Sequence, residues 1–225
     1  MDSLVQINHE METAPPEKVL AWAWDAFGDG LVVSSSFQTQ SVPLLHIVSQ
    51  VIPQAQVMFI DTGFHFPETL QFRDQLVDLL DLNLLVVRPQ IYGEDFINAF
   101  GPLHALNPDA CCFHNKVMPF QLKLRDFSAW VTGIRRDQTV SRQNAPVVGQ
   151  HPFLPVYKVS PMVNWSSEDI DQYIHENDLP RHPLWKFGYR SIGCQPCTAP
   201  VAPHEADREG RWPHRDKTEC GVHSL

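Results

Sequence analysis

Five of the 225 residues are cysteines, and their spacing divides them. Cys111 and Cys112 are adjacent, Cys194 and Cys197 form a C-x-x-C pair, and Cys220 stands alone in a polar stretch. Two thiolates two residues apart can bite one metal centre, and a second pair completes a set of four sulfurs. Adjacent cysteines are unusual ligands for a single zinc, because neighbouring side chains diverge. A cluster spreads several irons in space and could take one thiolate on each, so the spacing favours [4Fe–4S] over zinc. Buried inert cysteine is the alternative. Cys220 lies within Lys217-Thr218-Glu219-Cys220-Gly221-Val222-His223, a poor setting for a structural core cysteine. Lys217 and His223 could stabilise its thiolate, the nucleophilic form, whereas Glu219 would oppose it. A plain surface thiol is the competing reading.

A second group of residues suits a small, multiply charged anion. Ser34-Ser35-Ser36-Phe37-Gln38-Thr39-Gln40-Ser41 joins an apolar run to a helix, where backbone N–H groups and hydroxyls can meet a phosphate. The same serines would equally serve as capping and turn residues. Arg135, Arg136 and Arg142 occupy a polar loop. With Lys116, Arg208 and Arg211 they could clamp phosphate or sulfate, since guanidinium forks bind such anions bidentately. Each alone reads as a solvated surface charge. The eleven histidines form no H-E-x-x-H pattern, and none is assigned to a metal.

The elements that must position these groups are read from periodicity. Residues 17–27 read as a first helix packed through Val19, Leu20, Trp22 and Trp24. Leu31-Val32-Val33 is a buried strand running into the serine loop. Val42, Leu45 and Val48 face the core from the next helix. Residues 56–60 form a second strand ending at Asp61-Thr62-Gly63, and Pro67 opens a helix with Phe72, Leu76, Leu79 and Leu80 on its core face. A third strand covers residues 84–87. Residues 102–108 are a break, 111–124 a helix, 130–133 a strand and 134–150 a polar loop. Ser166-Ser167-Glu168-Asp169 has the capping-box pattern that starts a helix. Strand, loop and helix in alternation predict a parallel sheet with its ligand site at the carboxyl ends of the strands.

Composition narrows the classes further. A net charge of −9 disfavours a general nucleic-acid binder, whose affinity rests on phosphate neutralisation. The charge is uneven: residues 1–115 hold three Lys/Arg against fourteen Asp/Glu, and residues 116–225 hold fourteen against twelve. No stretch is apolar for the roughly 20 residues a membrane span needs. Residues 1–16 lack the cationic and apolar regions of a secretory signal. An odd cysteine count without a signal points to a reducing compartment, with the cytoplasm as the expectation.

From about Leu31 to His223 the chain resembles the assimilatory adenylyl-sulfate (APS) and phosphoadenylyl-sulfate (PAPS) reductases. The motifs that carry the likeness begin with the serine loop 34–41 and Asp61-Thr62-Gly63-Phe64-His65-Phe66-Pro67-Glu68-Thr69. Cys111-Cys112 with Lys116 and Thr132-Gly133-Ile134-Arg135-Arg136-Asp137-Gln138 come next. The last are Ile192-Gly193-Cys194-x-x-Cys197-Thr198, Arg208-Glu209-Gly210-Arg211-Trp212 and the Glu-Cys-Gly-x-His tail.

The resemblance implies an α/β, parallel-sheet, adenine nucleotide α-hydrolase-like (PP-loop-like) fold with an irregular C-terminal tail. The chain itself, with no composition shift that marks a linker, reads as one domain over 1–225 with a mobile leader at 1–16 ending in Pro15-Pro16. The resemblance adds a nucleotide-binding domain carrying the cluster (17–212) and a mobile catalytic tail (213–225). It makes Cys220 the nucleophile toward the sulfate sulfur of APS, with AMP expelled and an enzyme S-sulfocysteine reduced by thioredoxin to release sulfite. A [4Fe–4S] cluster is expected on Cys111, Cys112, Cys194 and Cys197, tuning the site rather than carrying electrons. Ser34, Ser35, Ser36, Phe37, Asp61, Thr62, Gly63, Lys116, Gly133, Arg135, Arg142, Arg208, Arg211 and His223 are the implied substrate contacts, with Lys116 between cluster and substrate.

Gln38, where the family usually has glycine, and Ser41, often acidic, depart from the pattern. The Ser-Ser-Ser-Phe start is similar to the PAPS-type loop, so PAPS and dual specificity stand as alternatives to APS. A homo-oligomer is compatible with this reading. Two rivals differ in class: a PP-loop ATP pyrophosphatase, which would carry a Ser-Gly-Gly-x-Asp-Ser loop that this chain lacks, and a zinc-stabilised binding module.

Overall fold

In a computed structural model, described for residues 3–213, 215–219 and 221–223, a six-stranded sheet runs in the order β3-β2-β1-β4-β6-β5. Its strands are β1 (Leu31–Ser34), β2 (Gln56–Ile60), β3 (Asn83–Val87), β4 (Ala129–Thr132), β5 (Val148–Gln150) and β6 (Tyr157–Val159). All neighbours are parallel except β5, which runs antiparallel to β6. Central β1 and β4 are near-continuous apolar runs, as expected of strands covered on both faces. From β1 the chain winds through β2 to β3 on one side, then returns to lay β4 on the other side of β1. The gap above that reversal, at the carboxyl ends of β1 and β4, is where such sheets bind ligands.

Helices α1 (Leu4–Met11), α2 (Pro16–Phe27), α3 (Val42–Val51), α4 (Pro67–Leu80) and α9 (Ser167–Glu176) all contribute buried residues to the larger core on one face of the sheet. Phe120 and Leu124 of α8 (Met118–Leu124) pack on Trp130 against the other face, with Val32 and Met58. The short α5 (Glu94–Phe100), α6 (Leu103–Leu106) and α7 (Pro108–Cys112) connect β3 to α8. No helix among the described residues is long and apolar enough to cross a membrane.

Several expectations are corrected. Residues 4–11, expected within a mobile leader, form α1, with Ile7 and Met11 buried in the main core. Glu12 then pairs with Arg136 at 2.5 Å, tying the start of the chain to the loop after β4. The single helix expected over 111–124 is three pieces, because a π-helical turn at Phe113–Val117 separates α7 from α8. The extra residue of such a turn rotates α7 about the helix axis relative to α8. The polar loop 134–150 contains β5, and the break at 102–108 contains α6. Leu79, assigned to the core, is 57% exposed. The capping box at Ser166 is present as read: Ser166 Oγ accepts from the Asp169 N–H at 3.1 Å, and Asp169 accepts from the Ser166 N–H at 2.7 Å.

Candidate active site

A large cavity opens above the β1/β4 reversal. Ser34, Ser35 and Ser36 line it from the end of β1 and the loop beyond, and Thr132, Gly133 and Ile134 do so from the end of β4. Met58, Phe59 and Ile60 of β2 form a further wall. Trp130 Nε1 donates to Ser34 Oγ at 2.7 Å, which fixes the first serine at the strand end. Ser35 Oγ accepts from the Phe37 N–H at 3.0 Å, closing a tight turn, and Ser36 Oγ lies 3.3 Å from Ser41 Oγ. That turn holds Phe37 at φ 51° with its ring wholly buried against Phe59. Phe37 is therefore a core anchor for the loop and does not line the cavity.

Four cations line the same space: Lys116, Arg142, Arg208 and Arg211. Arg142 comes from the loop after β4 and is 8% exposed. Its Nη2 donates to Glu219 Oε2 at 2.7 Å, and its Nη1 bonds the Gln138 side chain. Arg208 donates to the Thr218 carbonyl at 2.6 Å and approaches Glu219 at 3.5 Å. Arg211 lies flat against the backbone of Gly193, where any Cβ would overlap its guanidinium, and it donates to the Ile192 carbonyl at 3.4 Å. Lys158 of β6 stands over the Trp130 ring at 5.1 Å. Burial and the neighbouring Arg142 guanidinium pull it down to about 8, against the opposing pull of Glu219.

The described tail residues reach into the cavity. Glu219, Val222 and His223 all line it, and His223 stacks on Trp130 at 5.3 Å with 10° between the rings. Burial, then the charges of Arg142, Lys158, Arg208 and Lys116, hold His223 far below the usual histidine range, so it is neutral. Lys217 pairs with Asp109. Cys220 itself lies outside the described residues.

A second cavity lies beside the first and is lined by Cys111, Cys112, Cys194 and Cys197 together. The strand-like pairing of His65 with Cys194, and the 2.7 Å bond from the Gln195 N–H to the Phe64 carbonyl, bring the C-x-x-C turn against the loop after β2. Thr62 Oγ1 sits 3.3 Å from Cys194 Sγ. Asn115, in the π-helical turn, donates to the Cys111 carbonyl at 3.1 Å. Burial, and then the proximity of Cys112, Cys194 and Cys197, push the Cys111 thiol up to about 12. Thiolates gathered in one space repel one another, so a set of this kind is stabilised by positive charge among them. Among the described residues no group of three His, Cys, Asp or Glu side chains is arranged to hold a single metal ion. The four cysteines instead line a common space, and that donor set fits a cluster of several irons.

Lys116 and Arg211 line both cavities. They stand between the four cysteines and the cavity above the sheet.

The remaining expected contacts fall elsewhere. Asp61 is buried and holds Arg88 at 3.0 Å and Tyr92 at 2.9 Å, so it braces the loop after β2. Gly63, at φ 78°, lets that loop pass Gly93, whose backbone a Cβ would meet at 2.7 Å. Arg135 is buried with its guanidinium spent on Asp137, Gln40 and Ser167. Sequence reasoning missed Gln38, Gln40, His65 and Gln138 as lining residues, and also Glu219. Gln38 Oε1 accepts from the Ile192 N–H at 2.8 Å. His65 Nε2 donates to the Ile60 carbonyl at 2.9 Å, and burial leaves the ring neutral, at about 4. The departure from the family pattern at Gln38 is a visible signal. The others carry no sequence mark.

Comparison with known proteins gives one consistent result. Residues 30–200 match the family model for the phosphoadenosine phosphosulfate reductase domain. An adenosine 5'-phosphosulfate reductase of Streptomyces coelicolor is 41% identical over 95% of this chain and 90% of its own length. A phosphoadenosine 5'-phosphosulfate reductase of Gloeobacter violaceus is 40% identical over 99% of this chain and 94% of its own. The crystal structure of a phosphoadenylyl-sulfate reductase from Candida auris, a phosphate complex, superposes with a TM-score of 0.76 at 28% identity, over 85% of this chain and 94% of that one. An FMN adenylyltransferase of Candida glabrata, at 16% identity and a TM-score of 0.59 over 97% of this chain and 76% of that one, shares the fold alone.

Proposed function

Because the chain belongs to the phosphoadenosine phosphosulfate reductase domain family, we propose that it reduces adenylyl sulfate to sulfite and AMP as an oxidoreductase acting on sulfur. One observation carries the reading: residues on both sides of Cys220, namely Glu219, Val222 and His223, line the same cavity as the serine loop and the four cations. A thiolate attacking an anionic sulfate needs its oxygens neutralised, and Lys116, Arg142, Arg208 and Arg211 are the groups available to do that.

The Cys220 thiolate forms a bond to the sulfate sulfur while the bond from that sulfur to the AMP phosphate oxygen breaks. The product is an S-sulfocysteine and AMP. The four remaining cysteines are committed to the second cavity, so the two electrons come from an external dithiol of the thioredoxin type. That dithiol becomes a disulfide as sulfite leaves and the Cys220 thiol is restored. His223, neutral and stacked on Trp130 in the same cavity, can hydrogen-bond there without adding to the cationic charge. A [4Fe–4S] cluster on Cys111, Cys112, Cys194 and Cys197 would supply local positive charge when bound. Lys116 and Arg211, lining both cavities, hold the substrate's anionic end on the cysteine side. Residues 17–212 then act as the nucleotide-binding unit and 213–225 as the catalytic tail, with the cytoplasm as the proposed compartment.

APS is favoured over PAPS because a 3′-phosphate needs extra donors near the serine loop. The hydroxyls of Ser34 and Ser36 already bond within the protein, and Arg142 and Arg208 lie with the tail. The test is anaerobic sulfite release with thioredoxin, comparing APS and PAPS at limiting concentration. Cys220→Ser should abolish sulfite while leaving the visible absorbance of an iron–sulfur centre intact. Sulfite production by that variant would refute the nucleophile, and a colourless, zinc-loaded protein would refute the cluster.

A further inference from the structure

The Arg142–Arg208 pair is not open to solvent: a carboxylate of the protein's own tail lies in it. Glu219, with its side chain 10% exposed, receives Arg142 Nη2 at 2.7 Å and Arg208 Nη2 at 3.5 Å on one oxygen. The other oxygen accepts from Thr139 Oγ1 at 3.2 Å. We propose that Glu219 is the resident anion of this clamp and that the sulfate group of the substrate takes its place, so that binding the oxyanion and releasing the tail are one event. The inference rests on reading the clamp as the sulfate site.

Three observations support it. The clamp keeps an unused donor, because Arg142 Nε is buried and has no hydrogen-bond partner among the described residues. A carboxylate offers two oxygens in one plane, whereas a sulfate group offers three in a tetrahedral array. The clamp is thus better matched to the oxyanion than to its present occupant. Connectivity supplies the second point. Glu219 is the residue immediately before Cys220, so a carboxylate expelled from the clamp necessarily moves the chain that carries the thiol. Third, although Val222 and His223 beyond Cys220 pack against Trp130, the holds on the stretch before Glu219 are compatible with movement: Lys217 pairs with Asp109, a side chain 83% exposed, and Arg215 donates to the Ala105 carbonyl at 2.7 Å. Exposed contacts of this type are worth little individually.

The experiment uses the full chain, purified anaerobically, and inorganic sulfate as the probe, with sodium chloride of matched ionic strength as the reference. Removing the charge in Glu219→Gln should tighten sulfate binding about tenfold, the scale expected when a competing charged partner is lost. Thr139→Val, which loosens the carboxylate without touching the clamp, should shift affinity in the same direction by less. In the wild-type protein, sulfate should accelerate tryptic cleavage after Arg215 and Lys217 with the same midpoint as binding. Sulfate affinity that is unchanged or weaker in both variants overturns the proposal, as does cleavage indifferent to sulfate. Neither readout involves sulfite release. A chain that passes here but yields no sulfite from adenylyl sulfate would discard the proposed reaction and keep the displaced carboxylate, and the reverse result would discard the carboxylate alone.

Discussion

At the scale of single residues, the arginines show how alike in sequence and unlike in use neighbouring side chains can be. Arg135 and Arg136 both come after β4 and both read as candidates for an anion. Arg135 is buried against Asp137, Gln40 and Ser167, and Arg136 secures Glu12 and the Ala145 carbonyl. Only Arg142 of that loop's arginines meets the cavity. Residue type announces what a guanidinium can bind, but its partners come from distant parts of the chain. Glu219 makes the same point from the other side. Beside a cysteine it reads as a hindrance to thiolate formation, and only the fold places it between two arginines. Gly193 is a residue whose reason is legible once Arg211 is seen against it. Gly193→Ala should push the Arg211 guanidinium off its seat and weaken oxyanion binding by about 10- to 100-fold, the value of a charged hydrogen-bond donor. Sulfate or AMP titration would measure it, with an unchanged melting temperature showing that the fold is intact. Undiminished affinity would mean that Arg211 does not hold the anion.

Among the elements, the central strands are readable because each is a compact apolar run ending in turn residues. The helix at Ser166 is readable because its capping box is purely local. β5 and β6 are not, since three-residue strands carry too few positions for alternation to register. α1 is hidden for a different reason: eight residues are too few to form a helix alone, and its stability comes from packing after the core exists. That dependence can be tested. Met11→Ala removes a side chain buried in the main core and should cost about 2–5 kcal/mol of stability, read from the urea midpoint. A change below about 0.5 kcal/mol, that of a surface substitution, would restore the idea of a loose leader.

For the whole molecule, the cysteine sites are the most legible feature, because spacing alone pairs four of the five. Their shared cavity adds what spacing could not, namely that Lys116 and Arg211 line both it and the neighbouring cavity at the carboxyl ends of the strands. Acid stability also belongs at this scale. His182 is buried, its Nδ1 accepting from the Leu184 N–H at 3.2 Å and its Nε2 donating to Thr69 Oγ1 at 3.0 Å. Burial lowers it to about 4 from an ordinary value of 6.5. The unfolded chain binds the proton first, so this residue's contribution is complete above pH 6.5 and is lost as pH falls toward 4. Between about pH 7 and pH 5 the loss should be about 2 kcal/mol. Urea unfolding of the wild type and of His182→Asn at both pH values checks it: the variant should lose correspondingly less, and equal losses would contradict the assignment.

The outermost strand of the sheet has a further consequence. Val148 of β5 would present a bare N–H and C=O to any passing chain. Instead its N–H donates to Asn8 Oδ1 at 2.9 Å and its carbonyl accepts from Asn8 Nδ2 at 2.6 Å. One carboxamide from α1 thus imitates the backbone of a seventh strand at the point where another molecule could dock edge to edge. Unsheathed sheet margins recruit foreign strands and seed aggregates. The first helix therefore shields the margin of its own sheet at Val148, where Asn8 occupies both backbone groups that a foreign strand would need.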